Sequence, residues 1–94
     1  MNILVFGAGL SSTFLIKYLE ENALKYRWNI TVVDKNSSNL NQRVNSTNTK
    51  TIVFDIDDEI TLNDLIQDAE LVVSMLPAQL HLSIAKKCIQ YNTH

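Results

Sequence analysis

The chain reads as an α/β protein built on a doubly wound parallel sheet. Three observations carry that reading. Short apolar runs rich in branched residues alternate with longer amphipathic stretches, the first run ends on a glycine turn, and no internal repeat or low-complexity linker interrupts the alternation.

The elements follow in order. Residues 3–6 are an unbroken apolar run stopping at Gly7, which suits a strand buried on both faces. Phe14, Leu15, Tyr18 and Leu19 then recur at helical spacing, with Lys17, Glu20 and Glu21 on the other side, so a helix is expected over 10–22. Residues 28–33 are rich in β-branched side chains and form a second strand closed by Asp34. Residues 35–50 are polar. Leu40 and Val44, four apart, leave room there for one short helical turn.

A third strand is expected over 51–54. Ile60, Leu62, Leu65, Ile66 and Ala69 mark the next helix, with Asp57 or Asp58 as its N-cap. A fourth strand covers 71–76. Pro77 suits the first position of a last helix, whose apolar face is Leu80, Ile84, Ala85, Cys88 and Ile89. Right-handed crossovers place the four parallel strands in the order 3-2-1-4. The alternation calls for a fifth strand beyond His94, so residues 1–94 read as the front part of one domain, truncated before that strand.

Composition narrows the possible partners. The 94 residues allow one domain, and an apolar share of 46% is enough for a core. Eight basic against ten acidic residues give a net charge of −2, which offers no attraction to nucleic acid or to an anionic membrane. A single cysteine, Cys88, rules out an internal disulfide framework and a multi-cysteine metal site. The apolar start has no basic flank, no run approaches the roughly 18–20 residues of a membrane span, and the expected address is the cytoplasm.

The glycine turn carries the chemistry. Gly7 lets the chain leave the first strand sharply, and Gly9 removes a side chain so that backbone can approach a pyrophosphate at the helix N-terminus. The third position of the fingerprint is Ser12, whose hydroxyl has either the helix backbone or a phosphate to bond. Asp34 ends the second strand about 20 residues beyond the loop, where an acid accepts hydrogen bonds from the adenosine ribose and repels a 2′-phosphate. NAD is therefore expected over NADP. Lys35, next in the chain, is either a partial offset to that repulsion or a solvated surface lysine.

Asp55, with the backbone of Ile56, either meets the adenine edge or simply begins the turn into the next helix. Asp55, Asp57 and Asp58 lack the spacing and the bidentate glutamate of a calcium loop, so no metal is expected. In a doubly wound sheet the turn 74–81 would face the pyrophosphate and the nicotinamide-side ribose.

Gly7-Ala8-Gly9 after a strand, Phe54 to Asp58 after the third strand, and Ser74-Met75-Leu76-Pro77 with His81 four residues on together resemble the N-terminal NAD(P)-binding domain of the saccharopine dehydrogenase family. The likeness spans essentially the whole chain and implies a Rossmann-like fold. It assigns Gly7, Gly9, Leu10 and Ser11 to the pyrophosphate and Asp34 to the adenosine ribose. It assigns Asp55 and Ile56 to the adenine, and Ser74, Met75, Leu76 and Pro77 to the far half of the cofactor. It also implies hydride transfer to or from an amino-acid-derived imine or amine, with a substrate domain C-terminal to this segment. Two departures stand out. Many family members carry an arginine where this chain has Asp34 and Lys35, and the family's substrate domain lies C-terminal to these 94 positions, so no catalytic residue is carried over by the resemblance.

Several residues are expected to be structural. His81 fits packing or capping of the last helix better than proton transfer, and Cys88 belongs to its apolar stripe as an inert thiol. Tyr26 and Trp28 are expected to cover the bottom of the sheet. A rival function from another class is nucleotide sensing by a regulatory domain of a potassium-uptake system, which uses a similar glycine loop and ribose acid without catalysis. Leu76-Pro77 and His81 fit the dehydrogenase likeness better. With no fifth strand, the fourth would be an open edge inviting self-association.

Overall fold

A computed structural model describes residues 1–9, 12–44, 49–53, 58–75 and 78–90. Four strands and four helices alternate along the chain: β1 (Asn2–Phe6), α1 (Thr13–Tyr26), β2 (Asn29–Asp34), α2 (Ser37–Arg43), β3 (Lys50–Val53), α3 (Glu59–Asp68), β4 (Leu71–Ser74) and α4 (Ala78–Gln90). The strands pair in the order β3-β2-β1-β4, all parallel, which is the expected Rossmann-like arrangement.

Residues of β1 alternate between two cores because successive side chains of a strand point to opposite faces. Ile3 and Val5 join Ile16 and Leu19 of α1, Ile30 and Val32 of β2, and Leu40 of α2. Leu4 and Phe6 join Val33, Leu62 and Ile66 of α3, and Ile84 of α4 on the other face. An apolar run with no polar interruption is what a strand covered on both sides requires.

Helix α1 is displaced from its expected span at both ends. It starts at Thr13 because Ser12 still belongs to a tight turn, with its backbone N–H on the Gly9 carbonyl at 3.1 Å. It runs past Asn22 through Ala23, Leu24 and Lys25, and stops where Arg27 turns left-handed at φ 57°, with Trp28 N–H closing onto Ala23 O at 2.9 Å. Its buried face also differs from the expected one. Ile16 and Leu19 face the sheet with Leu15 and Ala23 beside them, while Phe14 is 86% exposed and Tyr18 lies outside.

The polar stretch after β2 holds a true helix. Asn36 caps α2, its side chain accepting from the N–H groups of Ser38 (2.9 Å) and Asn39 (3.3 Å), and Leu40 anchors it in the core. Asp58, one of the two expected caps, caps α3. Its carboxylate accepts from Thr61 N–H at 3.3 Å and Thr61 Oγ1 at 2.8 Å. On α3 and α4 the buried stripe is narrower than the apolar sequence pattern: Ile60 and Ile89 are each 78% exposed. Cys88 is half-buried against the second core, and that burial pushes its thiol pKa up, away from the reactive thiolate. Trp28 packs under the first core with Tyr26 stacked on it at 5.0 Å between ring centroids.

Candidate functional site

The register lines the site up across the carboxyl ends of three strands. Phe6 pairs with Val33 on one side and Ser74 on the other, so Asp34, Gly7 and Met75 follow side by side. Gly7 sits at φ 96°, a backbone conformation that a Cβ strains, and its N–H donates to Val33 O at 2.8 Å. The turn out of β1 therefore needs a glycine for its own sake.

Gly9 is different. Its φ lies outside the left-handed region, and a Cβ added there would meet nothing within 4 Å. Folding does not demand glycine at this position. The space against its backbone is open, which leaves room for the close approach of a bulky group that a side chain would deny.

Polar bonds within the chain hold this turn. Ala8, fully buried, donates its N–H to Asp34 Oδ2 at 2.7 Å, and Asp34 Oδ1 accepts from Asn36 N–H at 2.8 Å. The putting of one carboxylate across two turns fixes the end of β2 to the end of β1. Each oxygen retains acceptor capacity, since an ionised carboxylate offers about four lone-pair sites. The Gly9 carbonyl accepts from Ser12 Oγ at 2.6 Å, from Ser12 N–H at 3.1 Å and from Arg43 Nε at 3.3 Å. The Ser12 hydroxyl thus bonds the loop carbonyl, and its side chain is buried. Lys35 is exposed.

On the other side of β1, Met75 N–H donates to Phe6 O at 2.8 Å and carries the pairing one residue past β4. The Ser74 hydroxyl is buried beside it and finds no hydrogen-bond partner among the described residues. Leu10, Ser11, Asp55, Ile56, Leu76 and Pro77 lie outside the described residues, as does the side chain of His81. Among the described residues, no group of three His, Cys, Asp or Glu could hold a metal ion. No described helix is long and apolar enough to cross a membrane. A separate pocket lined by Asn2, Leu4, Thr31, Lys50, Ile52 and Asp68 opens at the strands' amino ends, away from the glycine turn.

Residues 3–94 match the family model described as the saccharopine dehydrogenase NADP binding domain. The chain belongs to this family. It is 28% identical over 94 residues to the Schizosaccharomyces pombe saccharopine dehydrogenase [NADP(+), L-glutamate-forming], covering 99% of this chain and 20% of that relative. The apo saccharopine dehydrogenase (L-Glu forming) of Saccharomyces cerevisiae superposes with a TM-score of 0.83 at 26% identity, over 98% of this chain and 20% of that one. A Rossmann-fold NAD(P)-binding family protein from Shigella flexneri, 18% identical with a TM-score of 0.72 over 98% of this chain and 47% of its own, shares the fold. The chain thus spans about a fifth of the saccharopine dehydrogenases it matches.

Membership corrects the expected preference for NAD, because the family is one of NADP-binding domains. The expectation of NAD rests on Asp34 as an acid at the ribose position. In the structure that carboxylate is held by two backbone N–H groups, and a guanidinium stands at the same turn. The contact of Arg43 with the glycine turn was not expected, because the segment around it showed only Leu40 and Val44. Its signal was a basic residue in the last turn of a helix whose existence the polar composition concealed.

Proposed function

We propose that this chain is the cofactor-binding portion of an oxidoreductase that uses NADP(H) in preference to NAD(H). The observation that carries the reading is the open space against the Gly9 backbone, at the carboxyl ends of β1 and β2 and beside Asp34. Family membership supports the cofactor class. The chain's own part is binding and orientation, while a bound dinucleotide would supply the hydride chemistry.

In this reading Gly7 and Gly9 shape the pyrophosphate cradle together with Leu10 and Ser11. Asp34 orients the adenosine ribose, Asp55 and Ile56 meet the adenine, and Ser74, Met75, Leu76 and Pro77 line the far half of the cofactor. The substrate we propose is an amino-acid-derived imine or amine of the saccharopine type, held by a C-terminal domain. The named activities of the two saccharopine dehydrogenases support that substrate class.

Calorimetric titration with NADPH and NADH tests the proposal, with Gly9→Val as control. Saturable NADPH binding that the valine removes is the expected result. A folded chain that binds neither dinucleotide would overturn it.

A further inference from the structure

We propose that Arg43 is the residue that admits a phosphate on the adenosine ribose, an inference resting on the dinucleotide reading above. Arg43 ends α2 and is half-buried, with Nε 3.3 Å from the Gly9 carbonyl and Nη1 3.4 Å from Gln42 Oε1. Both bonds are long for N–H···O contacts and are readily exchanged for stronger ones.

Asp34 and Arg43 bond consecutive residues of one turn, Asp34 at the Ala8 N–H and Arg43 at the Gly9 carbonyl. A ribose seated on Asp34 carries its 2′-substituent to the neighbourhood of both groups. Against Asp34 alone a phosphate there meets like-charge repulsion, and Asp34 is not free to swing away because Ala8 and Asn36 hold both its oxygens. A cation must therefore be added for the phosphate to be accepted. The planar guanidinium offers two parallel N–H bonds that match phosphate oxygens, and Lys35, exposed at the end of β2, adds a more mobile charge. This arrangement reconciles an acid at the ribose position with membership of an NADP-binding family.

The test is calorimetric titration of the full chain and of Arg43→Gln and Arg43→Lys with four ligands: NADPH, NADH, 2′,5′-ADP and 5′-AMP. Arg43→Gln is expected to weaken NADPH and 2′,5′-ADP by about 10- to 100-fold while NADH and 5′-AMP change by less than about twofold. Arg43→Lys should fall between, because it keeps the charge and loses the fork. An equal loss for phosphorylated and unphosphorylated ligands would overturn the proposal and leave Arg43 as a fastener of the glycine turn. No change for any ligand would overturn it as well. Failure of the unsubstituted chain to bind all four would instead sink the dinucleotide reading, and shows itself before any substitution is made. Retained NADH binding by Arg43→Gln doubles as the check that the variant is folded.

Discussion

On the β2 side of the glycine turn the chain supplies its own partners: Asp34 takes the N–H groups of Ala8 and Asn36, and the Gly9 carbonyl takes Ser12 and Arg43. On the β4 side, the buried Ser74 hydroxyl has no partner among the described residues. The first half is preorganised, its donors and acceptors already fixed, so the ligand proposed for it would lose little to reorganisation. The second half contains a desolvated hydroxyl to which no described residue offers a hydrogen bond. A buried hydroxyl without a partner costs stability, and a group that bonds it recovers that cost.

The comparison breaks hardest at Asp34. Asp34→Ala strands the buried Ala8 N–H, and we expect a loss of about 1–3 kcal/mol in stability by denaturant unfolding, together with weaker dinucleotide binding. An unchanged unfolding midpoint would mean that the tie between β1 and β2 is not structural. Gly9→Ala should separate folding from binding. With no positive φ and no clash to oppose it, the substitution is expected to raise stability by up to about 1 kcal/mol. NADPH affinity measured on the same protein should drop about tenfold or more as the new methyl enters the ligand's space.

Ser74→Ala sharpens the other half. Removing a hydroxyl with no partner among the described residues should be neutral or stabilising by less than about 1 kcal/mol in the unliganded chain. If thermal shifts show the variant gaining less from NADPH than the parent does, the ligand supplies the missing bond. An equal gain would place the Ser74 partner elsewhere. The smallest effect is expected at Asp58, which lies outside both halves. Its bonds from Thr61 hold the carboxyl below the usual carboxylate range. That contribution is present above the ordinary value of about 3.9 and disappears as pH falls through the lower folded value. Melts between pH 6 and pH 3 should therefore show a slightly steeper loss for the parent than for Asp58→Asn.

Most of the architecture was legible because it rests on period and punctuation. The apolar runs of β1 and β2, the glycine after β1 and the cap at Asp58 each report a local requirement that neighbours do not alter. The face of α1 was misread because Phe14 and Tyr18 share the helical spacing of Leu15 and Leu19. Only the position of the sheet decides that Ile16 and Leu19 turn inward. At the glycine turn, residue type and spacing brought Gly7, Gly9 and Asp34 to attention, and the structure places them side by side. Arg43 did not stand out, since its contact depends on a side chain reaching from the last turn of α2 back to a carbonyl 34 positions earlier. The preference for NAD was expected from the acid alone, whereas the family is one of NADP-binding domains and two N–H donors and a guanidinium stand at the same turn.

One consequence of the β1 pattern concerns time rather than energy. Ile3 and Val5 belong to one core and Leu4 and Phe6 to the other, while the same strand is hydrogen-bonded on both edges, to β2 and to β4. Neither helical layer can detach without stripping β1, so its backbone amides should be the last in the chain to exchange with deuterated solvent. The glycine turn is the direct continuation of that strand. Its slow clock is set by the sheet below it, well before any ligand arrives.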